Sequence, residues 1–380
     1  MKRILHLCNY TWESGGPPSV IFSHSKVQLE YGYEQHIYST PVSTQAIYPL
    51  NNNQRLFIFK RSFLTRFLAD FSWKLFFHYI KYRNRYDYIN SHGLWNFGSI
   101  LPYLIPSRSK KIVTLHGFLD DYLLEKSNYS KKLFWFIIQK WCLYKADCIH
   151  VISKNEENFI KSNFPSLTSK VVYVPNGLAD LNFDKQVNPT FKNKIDSYLT
   201  STEIVFLYLG RLNKKKGLDL LLPAFIEFQK YNISSRLLIV GPDDGYKDEL
   251  ELAINKNNNS NTNIHILDKV KDAEKEYLLK NCHVFILPSY SEGFSIAALE
   301  AIAYGIPGIY SNTIGFSEDI ITYQAGLICK LNINSISNQM LKLSKNKTLR
   351  KSIITNGQAL FNEKYRIEIV AKQLIDKILT

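Results

Sequence analysis

Two α/β domains, each built on a doubly wound parallel sheet, are what this sequence predicts, and three observations carry the prediction. Short β-type runs alternate with helical stretches along the whole chain, and the alternation comes as two successive series parted by a polar stretch. The third is size: 380 residues at 45% hydrophobic content suffice for two full cores. Open sheets of this type bind ligands beyond the carboxyl ends of their strands. The functional residues are therefore expected on the loops that follow strands, facing a cleft between the domains.

The first series of strands is expected at residues 4–8, 36–39, 56–59, 88–91, 112–116, 148–152 and 171–174. Strand 4–8 leads through Asn9 to Ser14 into Gly15-Gly16-Pro17-Pro18 and then a helix from Ser19. Missing side chains at Gly15 and Gly16 let backbone approach a ligand closely, and a tight turn without ligand is the alternative. The pattern is not G-x-G-x-x-G, which argues against a dinucleotide oxidoreductase. His92-Gly93 and His116-Gly117 each end a strand and should open onto the cleft. A neutral imidazole offers one donor and one acceptor to sugar hydroxyls, and His116 is the stronger candidate. His92 lies beside Trp95, which suits either an acceptor platform or a packed, hydrogen-bonded histidine. The remaining histidines, His6, His24 and His150 among them, sit in or beside apolar runs and read as structural.

The boundary falls after Val174-Pro175-Asn176-Gly177, where a strand ends in turn residues and a linker follows within polar residues 182–202. We expect an amino-terminal domain over 1–178 and a carboxyl-terminal domain over 190–364, with an amphipathic helix at 365–380 crossing back to the first. The second series of strands is expected at 204–209, 236–240, 264–267, 284–287, 308–310 and 326–329.

Two motifs in the second half carry chemistry. Glu292-Gly293-Phe294-Ser295 leads from a strand through a loop into an apolar helix capped by Ser295, with Glu300 about two turns in. The amino end of that helix favours an anion, so a diphosphate can lie there with one carboxylate on each side for hydroxyls. The alternative makes Glu292 a solvated loop residue and Glu300 a surface charge. Gly210-Arg211-Leu212-Asn213-Lys214-Lys215-Lys216-Gly217 follows the first strand of the domain, bringing Arg211 and Lys216 to the carboxyl end of the sheet. A guanidinium fork and a compact ammonium suit the two phosphates of a nucleotide diphosphate, against the alternative of a solvated basic turn.

Net charge of +14 calls for an anionic partner. Between Arg55 and Arg85, Lys and Arg interleave with Phe, Trp and Tyr residues, nine of them from Phe57 to Tyr79. A basic aromatic helix of this kind suits an anionic membrane surface, or else buries its aromatics in its own domain. The chain opens on a strand pattern rather than a signal peptide, so a cytoplasmic protein is expected. Five scattered cysteines without C-x-x-C read as reduced core residues. Asp120-Asp121 and Asp243-Asp244 are not the spaced D-x-D that clamps a metal and a diphosphate, so metal-independent chemistry with no cofactor is expected.

Together these residues resemble the retaining GT-B glycosyltransferases of family 4, the group that includes bacterial enzymes of lipopolysaccharide O-antigen and capsule synthesis. Gly15-Gly16-Pro17, His92-Gly93-Leu94-Trp95, His116-Gly117-Phe118-Leu119-Asp120, Val174-Pro175-Asn176-Gly177, Gly210-Arg211 with Lys216-Gly217, Gly241-Pro242-Asp243 and Leu287-Pro288-Ser289 carry the likeness in order along nearly the whole chain. The resemblance implies that Arg211, Lys216, Gly16 and the amides of Phe294, Ser295 and Ile296 hold the donor diphosphate, with Gly15 alongside. It implies that Glu292 binds the donor sugar, and that Glu300 binds the ribose, with Val270 and Gly241 near the base. Asp268 stands where relatives often carry glycine, which leaves the base open.

The expected activity is transfer of a hexose or N-acetylhexosamine from a UDP- or GDP-linked donor to a lipid-linked oligosaccharide, with retention, at the cytoplasmic face of the membrane. Glu292, His116, Arg211 and Lys216 are the catalytic candidates; His92 and Trp95 lie on the acceptor side. A GT-B sugar-nucleotide 2-epimerase is the runner-up. A non-catalytic basic membrane- or nucleic-acid-binding protein is the remote alternative, and no nucleic-acid motif supports a nucleic-acid partner.

Overall fold

A computed structural model describes residues 1–8, 16–40, 54–66, 68–119, 135–179, 186–200, 203–231, 234–256, 263–270 and 272–379. The chain divides into two compact units, Met1–Ala179 with Tyr365–Thr380, and Asp180–Lys364. Gly15, Asp120 and Asp121 lie outside the described residues.

The first unit runs β1 (Lys2–Leu7), α1 (Gly16–Glu30), β2 (Tyr33–Ser39), β3 (Gln54–Ile58), a 3-10 turn (Phe63–Arg66), α2 (Trp73–Tyr82), β4 (Tyr88–His92), α3 (Phe97–Leu104), β5 (Lys110–Thr114), α4 (Lys140–Lys145), β6 (Cys148–Val151), α5 (Lys154–Asn163) and β7 (Val171–Tyr173). Its strands form a parallel sheet in the order β3-β2-β1-β4-β5-β6-β7. The order reverses between β1 and β4, where a doubly wound sheet opens a crevice.

Alternation along the strands gives the two faces of this sheet different chemistry. Leu5, Leu7, Ile89, Val113, Ile149 and Val151 point into the larger core, with the buried side chains of α2, α3 and α4. Ile4, Tyr88, Ile112 and Cys148 point the other way.

The second unit runs α6 (Pro189–Thr200), β8 (Ile204–Leu209), α7 (Leu218–Gln229), β9 (Ser235–Val240), α8 (Lys247–Lys256), β10 (Ile264–Leu267), α9 (Asp272–Asn281), β11 (Val284–Leu287), α10 (Ile296–Ala303), β12 (Gly308–Ser311), α11 (Ser317–Tyr323), β13 (Leu327–Cys329), α12 (Ile333–Lys345) and α13 (Lys347–Leu360). Its parallel sheet has the order β10-β9-β8-β11-β12-β13, reversing between β8 and β11. All six residues of β8 are buried, as expected for a central strand covered on both faces.

The last helix, α14 (Ile367–Ile378), packs on the second face of the first sheet through Val370, Leu374, Ile375 and Ile378. Polar contacts pin its end. The Lys110 ammonium donates to the Ile378 carbonyl at 3.0 Å, and the Tyr33 hydroxyl donates to the Leu379 carbonyl at 3.2 Å.

The basic aromatic segment is not one helix. Gln54–Ile58 form a strand, and among the described residues of the segment only Trp73–Tyr82 is α-helical, begun by Ser72, whose hydroxyl accepts from the Leu75 amide at 3.3 Å. Phe59, Phe71 and Tyr79 are buried in the core, while Phe63, Trp73 and Phe77 are exposed. The segment thus divides its aromatics between packing and surface. All five cysteines are buried. Among the described residues, no helix is long and apolar enough to cross a membrane.

Candidate active site

Three loops at the carboxyl ends of β8, β9 and β11 meet beside the reversal point of the second sheet. Two glycines let them do so. A Cβ on Gly217, at φ +72°, would lie 1.9 Å from the Pro288 carbonyl oxygen, so only glycine lets the lysine-rich turn touch the loop after β11. A Cβ on Gly241, at φ +155°, would lie 1.9 Å from the Gly210 carbonyl oxygen, so the loops after β8 and β9 close up in the same way. Backbone bonds tie the contact: the Tyr290 amide donates to the Lys215 carbonyl at 2.9 Å, and the Leu212 amide to the Pro242 carbonyl at 2.9 Å. The Tyr290 hydroxyl adds a bond to the Asp219 carboxylate at 3.0 Å.

This scaffold places the two motifs of the second half against each other. Lys216 Nζ is ion-paired with Glu292 Oε2, and both side chains are largely buried. Glu292 is held through its backbone as well, its carbonyl accepting the Gly315 amide at 3.0 Å. Two residues on, Phe294 is buried against Phe316, ring centroids 4.9 Å apart. Ser295 then caps α10, its hydroxyl accepting from the Ala298 amide at 3.2 Å. The ammonium of Lys216 thus reaches the loop that leads into the amino end of a helix, where the macrodipole also favours an anion. A phosphate group there would meet both.

Arg211 takes a different position. Its guanidinium pairs with Asp244 at 2.8 Å, and Asn213 donates to the same carboxylate at 3.2 Å. Glu300 is buried within α10 and pairs with Lys275 of α9 at 2.6 Å. Burial raises the Glu300 pKa, and the Lys275 ammonium opposes that rise. Val270 is half-buried in the loop after β10, and Gly241 is buried at the end of the neighbouring β9.

In the first unit, Gly16 is the first residue of α1. His116 lies just past β5 in the left-handed region, φ +57°, followed by Gly117 at +80°. A buried carboxylate holds that strained corner, Glu156 accepting from the Gly117 amide at 2.6 Å and from the Ile152 amide at 3.0 Å. His92 is buried, and both its ring nitrogens meet other imidazoles, Nδ1 with His116 and Nε2 with His6, each at 2.8 Å. Of the two readings for His92, this is the packed, hydrogen-bonded histidine. Trp95 is half-buried against the larger core at φ +69°, its amide donating to the Gln139 side chain at 3.2 Å. A cavity of about 30 Å³ lies beside these rings, its walls including His6, His24, His92, His116, His150 and Asn176.

Comparison with known proteins gives this geometry a family. Residues 190–360 match the family of glycosyl transferases group 1, and residues 14–180 match glycosyltransferase family 4. The chain belongs to the GT-B glycosyltransferases of family 4. It is an enzyme of the hexosyltransferase class. Among its relatives is the capsular polysaccharide biosynthesis glycosyltransferase CapM of Staphylococcus aureus, 26% identical over 282 residues, which are 71% of this chain and 70% of CapM. Another is the UDP-Gal:alpha-D-GlcNAc-diphosphoundecaprenol alpha-1,3-galactosyltransferase of Escherichia coli, 28% identical over 281 residues, covering 70% of this chain and 69% of that one. HepE of Anabaena, solved in complex with UDP and glucose, superposes over 100% of both chains with a TM-score of 0.76 at 16% identity, a likeness of fold.

Within this glycosyltransferase, the structure brings together Lys216, Glu292, Phe294 and Ser295, and sets Arg211 and Glu300 in ion pairs of their own. Sequence reasoning passed over their partners Lys275 and Asp244, and over Glu156 beneath His116. Asp244 was visible only as half of an Asp-Asp pair. Lys275 and Glu156 lie on helices with no local signal, and only tertiary placement gives them a role.

Proposed function

We propose that the enzyme transfers a hexose or N-acetylhexosamine from a UDP- or GDP-linked donor to a hydroxyl of a lipid-linked oligosaccharide, in synthesis of surface polysaccharide of the O-antigen or capsule type. The observation that carries this reading is the Lys216–Glu292 pair at the loop entering α10, beside the sheet reversal. On this reading the ammonium serves the diphosphate and the neighbouring carboxylate serves the sugar hydroxyls. The name of the capsule relative CapM, the UDP-Gal and diphosphoundecaprenol in the name of the Escherichia coli relative, and the UDP and glucose complex of HepE support the choice of donor, acceptor and pathway class.

Transfer then proceeds with retention and without a metal. The bond from the anomeric carbon to the diphosphate oxygen breaks, and the acceptor oxygen forms its bond to that carbon on the same face. The acceptor proton passes to the departing diphosphate. Lys216, Arg211 and the amides at the start of α10 stabilise the charge that develops there, where fixed donors act with little reorganisation. Glu292 orients the donor sugar, Glu300 the ribose, and His116 hydrogen-bonds a sugar hydroxyl. Arg211 exchanges its exposed partner Asp244 for phosphate oxygens, an exchange that loses only about 0–1 kcal/mol of ion pairing.

The protein works at an anionic membrane surface on the cytoplasmic side. Exposed Phe63, Trp73 and Phe77 lie near exposed Lys74 and Lys81 on or beside α2, the pairing of apolar and basic groups that an anionic interface attracts.

Thermal-shift titration of the whole chain with UDP-, GDP-, ADP- and dTDP-sugars tests the donor assignment. A UDP- or GDP-sugar is expected to raise the melting temperature in a concentration-dependent way, with EDTA making no difference. No stabilisation by any of the four, or stabilisation only with added divalent metal, would defeat it.

A further inference from the structure

The first sheet carries a line of imidazoles on one face. Parallel register sets His6 beside Asn90, His92 beside Thr114, and Thr114 beside His150, and alternation puts all of them on the face that α14 covers lower down. Toward the amino ends of the strands this face is apolar. Toward the carboxyl ends it turns polar, and there His116, His92, His6 and Gln35 form a continuous chain with three contacts of 2.8 Å.

The chain has a direction. Burial lowers the pKa of His6 to about 4 and of His116 to about 3, and lowers that of His92 as well, so all three rings are neutral near pH 7. A neutral imidazole has one N–H and one acceptor nitrogen, so each link fixes the next. Gln35 sets the start: its amide nitrogen donates to the Tyr33 carbonyl at 3.2 Å, which leaves Oε1 as the atom facing His6 Nε2. His6 must therefore carry its proton on Nε2 and accept on Nδ1. His92 then donates from Nε2 to His6 and accepts on Nδ1, and His116 donates from Nε2 to His92.

We propose that Gln35, His6 and His92 are positioning residues that fix His116 in its Nε2–H tautomer, so that Nδ1 is the ring's acceptor toward a sugar hydroxyl. The proposal rests on the hydroxyl contact assigned to His116 above. With Nε2 committed to His92, the hydroxyl that meets the ring is the donor of the bond. The other tautomer would set acceptor against acceptor at the His92–His116 contact and would reverse the bond to the sugar, making the hydroxyl oxygen its acceptor. Glu156 fixes where the ring sits, and the amide at the far end of the chain fixes which nitrogen holds the proton.

The test uses the full chain with 15N-labelled histidine. Long-range 1H–15N correlation spectra of the free protein should show the Nε2–H tautomer for His6, His92 and His116. Gln35→Met removes the terminal acceptor and should give mixed tautomers at His116, with kcat/KM for transfer falling roughly tenfold, the value of one hydrogen bond. Gln35→Glu keeps an acceptor in the same place and should restore both readouts. Should Gln35→Met fail to fold by thermal melting, His6→Phe keeps a ring in the same space and cuts the same chain one link nearer. The tautomer is read without substrate, so an Nδ1–H form of His116 in the wild type, or an unchanged tautomer in the cut chain, overturns the relay itself. A disturbed tautomer with unchanged transfer overturns the role in catalysis and locates the failure in the hydroxyl contact.

Discussion

Replacing Lys216 by Met, which keeps the length of the stem and removes the charge, separates the two duties of that ammonium. Its side chain retains 14% of its exposure and that of Glu292 retains 13%, so the pair is mostly desolvated. Stripping the cation from a fully buried pair costs about 3–5 kcal/mol. With water still reaching both groups here, roughly 1–2 kcal/mol of folding stability is expected to go. At the barrier the loss is larger. One donor aimed at developing charge is worth about 3–4 kcal/mol, so kcat should fall by roughly a hundredfold or more. Arg211→Met provides the contrast. Its guanidinium is 65% exposed in its pair with Asp244, so stability should hardly change while turnover falls to a similar degree. Initial rates of sugar transfer at saturating donor, measured beside urea midpoints, separate the effects. Turnover within about threefold of wild type in both folded variants would refute the assignment of these cations to the leaving diphosphate.

Gly217→Ala forces a Cβ to within 1.9 Å of the Pro288 carbonyl at φ +72°, which should destabilise the protein by about 2 kcal/mol, lower Tm by about 4–8 °C and part Lys216 from Glu292; an unchanged melt with full activity would disprove the close approach. The buried histidines predict acid sensitivity. Their unfolded rings titrate near 6.5, but His6 and His150 fall to about 4 and His24 and His116 to about 3 in the fold. Between those values the unfolded chain binds more protons, so stability is full above about pH 6.5 and is lost as pH falls, by up to about 1.4 kcal/mol per unit for each ring. Equal urea midpoints at pH 7.5 and pH 5 would show that these rings are not held neutral. Trp73→Ser with Phe77→Ser should abolish flotation with anionic vesicles and leave Tm in place, because these side chains are 43% and 62% exposed; unaltered flotation removes α2 from the membrane contact.

Both sheets were legible because their central strands are nearly continuous buried runs, β8 being the clearest, and because each run ends in turn residues. The Ser295 cap was legible for a local reason too: a hydroxyl followed by an apolar helix fixes a start wherever the rest of the chain lies. The segment from Arg55 to Arg85 was harder, since its aromatics suggest one helix. Phe57 belongs to an edge strand, Phe63 to a 3-10 turn and Trp73, Phe76, Phe77 and Tyr79 to a short helix, with Asp70 at φ +64° breaking the run. What the sequence hides is register. His6, His92 and His150 each sit at the inward position of a different strand. Nothing local says that strand pairing sets them side by side. The partners of Glu300 and Arg211 were hidden in the same way, since Lys275 and Asp244 meet them only through tertiary packing.

The ion pairs of the second unit differ in a way that sorts their duties. Lys216–Glu292 and Lys275–Glu300 each hold a carboxylate that is largely buried, and such a group is costly to leave without a cation. On the proposed reading those two pairs persist when substrate binds, each carboxylate using its remaining lone pairs for hydroxyls. Arg211–Asp244 is the reverse, an exposed pair of little strength whose guanidinium can leave at small cost. On the proposed reading, Arg211 is the group able to follow charge as it moves onto the leaving diphosphate, while Lys216 supplies a fixed field. A site with one mobile and one fixed cation meets ground state and transition state differently, and only that difference accelerates transfer.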